Sequence, residues 1–402
     1  MKILIINALS KTNAVGGAEK SVHLTACELY AKGHDVLLLA FHRSWKFRYM
    51  TVDSVPILLC PCANIYWPFD GRVRHPLARI FFNIFDIINP ISIAIIAGIV
   101  AFKRPCIAWT NMVKGWSVGS WLILKIMRVP VVATLREFDL LYSGESIKLH
   151  PESPKAIPGI SALKCFFTRF PDAVVGISKY ILNLHKNAGY FRNSRDSWVI
   201  ANPIDVSINY VKRPLVVGND MLRIGWIGRF SAEKGIHVFL GAAHKLKFHK
   251  KFNFYIAGSG DLDLIASVQK AQANGEVRYV GFSKTSDFLS QIDVLVVTSL
   301  WPEPFGRVVI EGFQYGCYVL STDRGGLPEI NKNKSCGQLF DGSVDDLCAK
   351  LEKISFEKIL SAREAARVEA LTYISALIAD EYIKVFESHI IDNSLNVNEN
   401  IV

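Results

Sequence analysis

One pattern in the second half of the chain limits its possible folds more than any other feature. Four times, an apolar, β-branched stretch typical of a buried parallel strand is followed by a glycine turn and the start of a helix. The turns lie at 228–235, 258–261, 302–306 and 322–328. Because parallel strands end along one edge of a sheet, four such turns within about 100 residues predict one ligand crevice at that edge.

One of these turns has carboxylates on both sides, Glu303 before it and Glu311 after it. Gly306 in the turn lets a ligand approach the backbone closely. The helix predicted from Arg307 directs its free N–H groups and positive dipole end at the same point. This arrangement suits a nucleotide joined to a sugar, with the phosphates on the helix end. The alternative is that Glu303 and Glu311 are unrelated surface residues.

Two cations flank the first turn, a guanidinium at Arg229 and an ammonium at Lys234. A fixed and a mobile cation beside a glycine turn suit a diphosphate. The alternative is a solvated helix N-terminus with two incidental charges. The pair Gly258 and Gly260 lacks the third glycine of the dinucleotide fingerprint and lies in mid-chain, so the pattern does not indicate a dehydrogenase.

The positive charge of the chain lies in its first half. Residues 1–205 hold 24 Lys and Arg against 13 Asp and Glu, a net +11, whereas residues 206–402 hold 22 against 23, a net −1. The segment 42–49, with Arg72, Arg74 and Arg79, predicts a basic, aromatic face that docks on anionic lipid, each cation contributing about 1 kcal/mol. A solvated loop with scattered charges is the alternative. No nucleic-acid partner is predicted, because no binding motif accompanies the charge.

Residues 80–102 are nearly apolar. Polar residues and Pro90 interrupt the run, and only residues 91–102 are uninterrupted, about half of the ~20 residues that span a bilayer. We expect a buried helix that ends at 103–105. Contact with one membrane face and a true membrane span are the alternatives.

A cytoplasmic location is predicted from the first residues of the sequence and from its cysteines. The apolar run of residues 1–7 is too short for a signal peptide and reads as a first strand. The eight cysteines are scattered without a Cys-x-x-Cys pair, as expected for reduced thiols rather than a disulfide framework or a zinc site.

Strands and helices alternate through the first half of the chain. Strand patterns near 2–7, 35–40, 56–60, 106–110, 130–134, 173–177 and 197–201 predict a doubly wound first domain at residues 1–205. The second α/β domain is predicted at residues 206–371, with a linker at 214–220 before its first strand at Leu222. Residues 141–159 are predicted to form a loop, residues 372–390 a final amphipathic helix, and residues 393–402 a frayed tail.

The motifs of the second half occur in an order that resembles a known family. They are Gly228-Arg229 with Lys234-Gly235, residues 257–260, residues 280–282, Glu303 to Gly306 with Glu311-Gly312, and residues 325–329. This set resembles the donor domain of the family-four retaining glycosyltransferases, which have the GT-B architecture. The first half resembles the family through residues 16–19, 33–36 and 129–134. The resemblance implies two Rossmann-like, doubly wound parallel-sheet domains that face a central cleft, with the C-terminal helix crossing back to the first domain.

The resemblance also implies a role for each site residue. Arg229 and Lys234 hold the donor phosphates and stabilise the departing diphosphate, so no metal or other cofactor is expected. Glu311 accepts hydrogen bonds from the ribose, and Glu303 holds hydroxyls of the transferred sugar. The other donor contacts implied are at Gly16, Gly17, Gly258, Gly260, Val280, Pro304, Phe305 and Gly306.

The chain departs from the family pattern at Arg136. Many members have His-Asp after the Val-Val-x-Thr strand, whereas this chain has Arg136-Glu137. An arginine stays protonated and cannot act as a general base. Arg136 can still bind a phosphate, an acidic acceptor or a sugar hydroxyl, oriented by Glu137. The alternative is that the two residues simply pair at the domain edge.

With these features, the resemblance implies a retaining hexosyl transfer from a nucleoside-diphosphate sugar to a glycan or lipid-linked acceptor. We expect the protein to act in bacterial surface polysaccharide or lipopolysaccharide synthesis, on the inner face of the cytoplasmic membrane. A GT-B sugar-nucleotide epimerase and an inactive homologue that acts as a binding subunit are the alternatives.

Overall fold

A computed structural model of the chain describes residues 1–14, 16–70, 72, 74–142, 156–205 and 221–399, with the backbone alone for 391–399. The predicted linker at 214–220, residues 143–155 of the predicted loop and residues 400–402 of the predicted tail lie outside this range. The chain forms two compact units. The first comprises Met1–Pro203 and Ser375–Val402, and the second comprises Ile204–Ile374.

The secondary structure alternates strands and helices through both units. The strands are β1 Lys2–Ile6, β2 Asp35–His42, β3 Arg48–Val52, β4 Val55–Pro61, β5 Ile107–Thr110, β6 Val131–Leu135, β7 Ala173–Gly176, β8 Asp196–Val199, β9 Leu222–Phe230, β10 Phe252–Gly260, β11 Arg278–Tyr279, β12 Val294–Val297, β13 Tyr318–Thr322 and β14 Gly337–Phe340. The α-helices are α1 Gly17–Ala31, α2 Pro76–Phe85, α3 Pro90–Lys103, α4 Gly119–Ile126, α5 Pro158–Phe167, α6 Lys179–Asn187, α7 Ile236–Lys245, α8 Leu262–Ala273, α9 Thr285–Leu289, α10 Arg307–Gln314, α11 Leu327–Ile330, α12 Val344–Glu352, α13 Phe356–Leu371 and α14 Ser375–Glu399.

The sheet of the first unit has the strand order β3-β4-β2-β1-β5-β6-β7-β8. All its neighbouring strands are parallel except β3, which pairs with β4 in the antiparallel direction. The strands β1, β2, β5, β6 and β7 are almost wholly buried, as their apolar, β-branched sequences predict. The sequence did not indicate β3, so the predicted basic segment 42–49 ends in an edge strand rather than lying wholly in a loop.

The C-terminal helix α14 completes the core of the first unit. The rings of Tyr382 and Trp109 lie 4.5 Å apart, and the Tyr382 hydroxyl is 3.2 Å from Thr134 Oγ1. At the start of the helix, Ser375 Oγ donates to Glu28 Oε1 at 2.6 Å. These contacts confirm that the C-terminal helix returns to the first domain. The helix begins at Ser375 and continues to Glu399, whereas the sequence predicted an end at residue 390.

The apolar run that was predicted to form one buried helix forms two helices. Asp86 follows α2, and Asn89 caps α3 by accepting hydrogen bonds from the backbone N–H groups of residues 91 and 92 at 3.1 Å each. Pro90 occupies the first turn of α3, where its missing N–H has no consequence. Helix α2 buries only Phe82. The prediction of a buried helix is therefore wrong for α2, which leaves most of its apolar residues exposed.

By length and composition, Pro76–Lys103 is the one stretch of the described residues that could cross a membrane. The break between α2 and α3 divides this stretch into segments of 10 and 14 residues. Either segment alone is shorter than the ~20 residues that span a bilayer.

The second unit contains a parallel sheet with the strand order β11-β10-β9-β12-β13-β14. Its core is formed by the apolar residues of β9, β10, β12 and β13 together with those of α7, α12 and α13. From β9 the chain adds β10 and β11 on one side and then β12, β13 and β14 on the other. The strand order therefore reverses between β9 and β12. In sheets of this kind a ligand crevice forms outside the carboxyl ends of the strands at this reversal.

Candidate functional site

Lys234 and Glu303 meet at the reversal of strand order in the second unit. Lys234 ends the short 3₁₀ helix that follows β9, and Glu303 lies in the turn that follows β12. The Lys234 ammonium donates to Glu303 Oε1, and Ser299 Oγ donates to the same oxygen at 2.6 Å. The fold thus brings together two of the predicted site residues that are 69 positions apart in the sequence.

The Glu303 carboxylate is charged and ready to accept hydrogen bonds. Burial by itself would raise the pKa of Glu303, but the Lys234 charge and the hydrogen bonds from Lys234 and Ser299 outweigh it. The pKa of Glu303 therefore lies below its ordinary value. The site pairs a carboxylate acceptor with an ammonium donor at the mouth of the expected crevice. Ser299 was not predicted as a site residue, because nothing in the local sequence distinguishes it.

The backbone of Lys234 is fixed to the end of β12. Thr298 Oγ1 donates to the Lys234 carbonyl at 2.8 Å and accepts from Trp226 Nε1 at 2.8 Å. Gly235 follows with a φ of 64°, and a Cβ there would lie 2.1 Å from the Thr298 carbonyl oxygen. Only glycine therefore allows the turn to approach β12 so closely. This packing fixes the backbone from which the Lys234 side chain reaches Glu303.

Arg229 is the exposed cation of the site, with 60% of its side chain accessible. Its Nη2 lies 2.7 Å from Glu233 Oε1, across the turn that joins β9 to the 3₁₀ helix. Burial alone would raise the pKa of Glu233, whereas hydrogen bonding and the Arg229 charge lower it below its ordinary value. Each of the two predicted phosphate-binding cations therefore contacts a carboxylate. Glu233 was not predicted, because its contact with Arg229 depends on the turn between β9 and the 3₁₀ helix.

The turn after β12 brings the start of a helix close to Glu303. Helix α10 begins at Arg307, as predicted, and Gly306 caps it with a φ of 107°. The Glu303 carbonyl accepts from Gly326 N–H at 2.7 Å, so the turn at 322–328 packs against the Glu303 backbone. Within α10, Glu311 Oε1 accepts from Arg307 Nη2 at 3.0 Å. Glu303 and Glu311 are thus placed before and inside the same helix N-terminus.

The other predicted donor contacts of the second unit lie around these turns. Phe305 is buried against Tyr373, so only its backbone can contact a ligand. Pro304 adjoins it in the same turn. Val280 is partly exposed at the end of β11, where Gly258 N–H donates to the Gly281 carbonyl at 2.9 Å.

Gly258 and Gly260 have a structural role that accounts for them without a ligand. They pair with residues 228 and 230 of the neighbouring strand β9. A Cβ at Gly258 would lie 1.9 Å from the Gly228 carbonyl oxygen, and one at Gly260 would lie 2.2 Å from the Phe230 carbonyl oxygen. The close approach of β9 and β10 therefore requires both glycines.

Gly16 and Gly17 belong to the first unit, where Gly16 caps α1 and Gly17 begins it. The buried Glu19 carboxylate accepts from the Gly16 N–H at 3.2 Å. This contact satisfies one of the free N–H groups of the helix N-terminus. Two glycines without side chains leave the end of α1 open to close approach by a ligand.

Arg136 is buried in the first unit, with only 6% of its surface accessible. Its Nε donates to Asn111 Oδ1 at 2.8 Å, and its Nη1 donates to Asn202 Oδ1. Its guanidinium carbon also lies 5.9 Å from the centre of the Trp109 ring. Arg136 is therefore buried in the first unit and held there by two asparagine side chains.

Arg136 and Glu137 line a cavity of about 170 Å³ in the first unit. Its wall is formed by α2, the ends of β5 and β6, and α5. The ionisable residues of the wall are Asp70, Arg72, Arg79, Asp86, Lys114, Arg136, Glu137, Asp139 and Lys164. Only Arg136 and Glu137 of this set were predicted as acceptor residues. The others come from distant segments that no local motif connects.

The deepest groups of the cavity form a polar network. Lys114 Nζ lies 2.7 Å from Asp139 Oδ2, and Lys164 Nζ donates to the Asp139 carbonyl at 2.9 Å. Burial raises the pKa of Asp86 to about 7, although Lys164 and the Gly115 N–H lower it. Burial, and then the Asp139 carboxylate, raise the pKa of Glu137 well above its ordinary value. At neutral pH the cavity therefore contains carboxyl groups that resist ionisation.

One group of the described residues has the composition of a metal site. His23, Cys27 and Asp53 place their ligand atoms within 4.8 Å of one another. However, the Lys11 ammonium lies 2.6 Å from Asp53 Oδ2, the oxygen that also contacts His23 Nε2 at 2.8 Å. Because that carboxylate already has a cationic partner, we assign no metal to the group.

Family models match both units of the chain. The model described as Glycosyltransferase Family 4 matches residues 15–208, and the model described as Glycosyl transferases group 1 matches residues 212–368. An uncharacterized 42.6 kDa protein in the cps region of Klebsiella pneumoniae is 30% identical over 83% of this chain and 88% of its own length. The chain belongs to the family-four glycosyltransferases. The glycosyltransferase is also 28% identical, over 40% of its length and 48% of the relative, to the lipopolysaccharide core biosynthesis glycosyltransferase LpsE of Rhizobium meliloti.

Solved structures establish the fold of this glycosyltransferase as GT-B. HepE of Anabaena, solved in complex with UDP, aligns with a TM-score of 0.71 at 19% identity, covering 96% of this chain and 100% of HepE. Sucrose-phosphate synthase of Thermosynechococcus elongatus aligns with a TM-score of 0.74 at 16% identity, covering 96% of this chain and 98% of that enzyme. The predicted family and the predicted GT-B fold are therefore confirmed.

Proposed function

We propose that this glycosyltransferase moves a hexose, with retention of configuration, from a nucleoside-diphosphate sugar to a glycan or lipid-linked glycan. The observation that carries this proposal is the contact between Lys234 and Glu303 at the reversal of strand order. Two further findings support it. HepE of similar fold was solved with UDP and with UDP-glucose, and relatives come from a cps region and from lipopolysaccharide core synthesis.

The Lys234–Glu303 pair gives each partner a role once the donor is bound. The diphosphate attracts the Lys234 ammonium away from Glu303, because two phosphates carry more negative charge than one carboxylate. Glu303, still held by Ser299, then accepts hydrogen bonds from hydroxyls of the sugar. Glu311 accepts bonds from the ribose, and Arg229 is exposed and able to reach the phosphates. The pair keeps the site electrically balanced before the donor arrives.

The proposed reaction balances without an added cofactor. The bond between the anomeric carbon and the diphosphate oxygen breaks, and the acceptor oxygen bonds to the same face of that carbon. The acceptor proton passes to the departing phosphate. Lys234 and Arg229 stabilise the negative charge that develops on the diphosphate, a task that a metal ion performs in other enzymes.

The donor site is tested by thermal unfolding with UDP-, GDP- and ADP-sugars in the absence of metal. We expect one nucleotide sugar to raise the Tm of the wild-type protein and to have no effect on Lys234→Ala. Lys245→Ala is the matched control, because Lys245 is an exposed lysine of the same unit that also pairs with a carboxylate. No shift with any donor, or an equal shift in Lys234→Ala, contradicts the proposed site.

We further propose that the first unit docks on the inner face of an anionic membrane. The exposed apolar residues of α2 and the following turn form an apolar face, which consists of Leu77, Ile80, Phe81, Ile84 and Ile88. Arg79 lies in α2, and Arg72 precedes the helix in the sequence. The connection between β2 and β3 adds exposed Trp45 and Phe47, and β3 adds exposed Tyr49, among basic residues. Apolar side chains beside cations suit a surface of anionic lipid.

Liposome sedimentation at low salt tests this docking. We expect wild-type protein to bind phosphatidylglycerol vesicles, and the double variant Phe81→Ser with Ile84→Ser to remain in solution. Val368→Ser is the control, because Val368 is an exposed apolar residue of the second unit. Equal binding by all three proteins, or no binding by the wild type, contradicts docking through α2.

A further inference from the structure

The cavity of the first unit contains a buried hydrogen-bond donor to which no described residue offers an acceptor. Asn111 lines the cavity and is 8% exposed. Its Oδ1 accepts from Arg136 Nε, and because a guanidinium can only donate, this contact fixes the orientation of the amide. The Asn111 Nδ2 atom has no hydrogen-bond partner among the described residues. A buried donor without an acceptor is destabilising, so an acceptor oxygen bound beside it would stabilise the site.

A second group of the cavity, the Lys164 ammonium, favours an oxygen that carries negative charge. Lys164 is 8% exposed and donates to the Asp139 carbonyl at 2.9 Å. No carboxylate of the described residues lies within ion-pair distance of its ammonium. Burial lowers the pKa of Lys164, although the carboxyl groups of Asp86 and Asp139 raise it. An anion in the cavity would stabilise this buried charge.

The charges around the cavity also favour an anion. Five cationic side chains line it, from Arg72, Arg79, Lys114, Arg136 and Lys164. Four carboxyl groups line it, from Asp70, Asp86, Glu137 and Asp139. Burial raises the pKa of Asp86 to about 7 and that of Glu137 well above its ordinary value. The cations therefore outnumber the ionised carboxylates at neutral pH, and protonated carboxyl groups can donate to an anionic oxygen.

Helix α2 connects the cavity to the apolar face. Arg79, Phe82, Asn83 and Asp86 line the cavity at the spacing of one helix face. Leu77, Ile80, Phe81 and Ile84 are exposed at the spacing of another face of the same helix. An amphiphile can therefore place its polar end in the cavity while its apolar part lies along the outer face of α2.

We propose that the cavity binds an oxyanion of the acceptor, a phosphate or a carboxylate, through Asn111, Arg136 and Lys164. This inference rests on the proposed glycosyltransferase function and names the class of its acceptor. A phosphate that carries a lipid and a carboxylate of an acidic sugar present the same charged oxygens to these donors. The outer face of α2 favours the lipid-borne phosphate, and the experiment separates the two sources.

Calorimetric titration of the full chain tests the inference with geranyl phosphate, geraniol and glucuronic acid. We expect geranyl phosphate to bind and geraniol to bind at least tenfold more weakly, which assigns the site to a lipid phosphate. Binding of glucuronic acid in place of geranyl phosphate also supports an oxyanion site and assigns it to an acidic sugar. Equal binding of geraniol and geranyl phosphate, or no binding of either acid, overturns the inference.

Two variants locate the binding in the cavity. Asn111→Asp keeps the oxygen that accepts from Arg136 but replaces the donor with a negative charge, so we expect at least a tenfold loss of oxyanion affinity. Lys164→Met should produce a similar loss. Lys125→Met is the control, because Lys125 lies in the same unit and pairs with Asp172 outside the cavity. Thermal unfolding of each variant verifies that it is folded, and unchanged oxyanion affinity in folded Asn111→Asp overturns the inference.

A variant of the donor site separates the acceptor inference from the proposed function. Lys234→Ala should bind the oxyanion probe as tightly as the wild type, because Lys234 belongs to the second unit. If nucleotide sugars shift the Tm but no oxyanion binds, the acceptor inference fails while the proposed function stands. If oxyanions bind but no nucleotide sugar does, the proposed function fails.

Discussion

At the scale of single residues, the chemistry of this glycosyltransferase depends on charges that have been taken partly out of water. Lys234 and Glu303 contact each other at the edge of the second sheet, with 33% and 15% of their side chains exposed. Asp86 lies in the cavity of the first unit with a pKa raised to about 7. Removing one partner of such a pair leaves the other charge without compensation, which is more costly than removing both.

A double-mutant cycle measures the Lys234–Glu303 contact. Lys234→Met should lower the free energy of unfolding at pH 7 by about 1–3 kcal/mol, because it leaves the Glu303 carboxylate without its cation. Glu303→Gln in the same chain should recover most of that loss. Urea unfolding at pH 7 measures both variants. A double variant as unstable as Lys234→Met alone would contradict a direct contact.

The pH dependence of the same contact has a defined sign. The pKa of folded Glu303 is lowered, so its contribution to stability is present above the ordinary pKa of the carboxyl and is lost as pH falls through the folded value. Urea unfolding across this acidic range should show a smaller loss of stability in Glu303→Gln than in the wild type.

The contribution of Asp86 to stability should have the opposite pH dependence. Its pKa rises from 3.8 to about 7 on folding, so its stabilising effect is complete below pH 3.8 and is lost as pH rises through about 7. A tenfold change in proton affinity corresponds to about 1.4 kcal/mol, so the loss between these limits is on the order of a few kcal/mol. Asp86→Asn can still accept from the Gly115 N–H. This variant should therefore remove the part of the pH-dependent loss of stability that is due to Asp86. Urea unfolding between pH 4 and pH 8 provides the comparison, and identical profiles would contradict a raised pKa.

At the scale of elements, glycines decide how closely neighbouring strands and turns approach. The glycine turns that indicated a ligand crevice are also requirements of packing, as Gly235 against β12 and Gly258 against β9 show. The same sequence signal therefore has two physical causes. This explains why the strands and turns of the second unit could be predicted well from local sequence, since backbone conformation and close packing both demand glycine there.

Gly258→Ala separates packing from ligand binding. A Cβ at this position would lie 1.9 Å from the Gly228 carbonyl oxygen, so we expect a loss of more than about 3 kcal/mol of stability in the second unit. Gly275→Ala is the matched control, because Gly275 also has a positive φ but nothing lies within 4 Å of the added Cβ. Gly275→Ala should lower the free energy of unfolding by about 1 kcal/mol. Equal losses of free energy of unfolding in the two variants would show that strand packing does not require Gly258.

Helix α2 shows where element prediction from sequence fails. The run 80–102 is apolar enough for one buried helix, but Asp86 and Asn89 each make tertiary hydrogen bonds at the break. Asp86 accepts from the Gly115 N–H at 2.6 Å, and Asn89 Nδ2 donates to the Ala63 carbonyl at 2.7 Å. These partners lie more than 20 residues away. Local hydrophobicity contains no information about them.

At the scale of the whole molecule, the first unit is built from both ends of the chain. Tyr382 and Phe386 of α14 lie in the core beside β5 and β6, and Tyr382 contacts Trp109 and Thr134. The first unit therefore cannot complete its core until the last helix has been synthesised. The second unit is continuous in sequence and has its own core.

Tyr382→Ala should destabilise the first unit by about 3–5 kcal/mol, as expected for loss of a large buried aromatic side chain. Hydrogen exchange should then rise in β1, β5 and β6, while exchange in residues 222–371 stays at the wild-type level. Leu377→Ala is the control in the same helix, because Leu377 is half exposed. A uniform rise in both units would contradict two separate cores.

The sequence by itself determined the α/β class, the positions of most strands, the glycine turns after them, the start of α10 at Arg307 and the family. These properties depend on hydrophobic period, backbone conformation and short motifs, all of which act over a few residues. The tertiary structure alone decided that Lys234 contacts Glu303, that α2 is exposed on one face, and that Asn111, Asp86 and Lys164 surround one cavity. Those contacts join segments far apart in the chain, and each side chain acquires its partner and its burial only when the strands and helices pack.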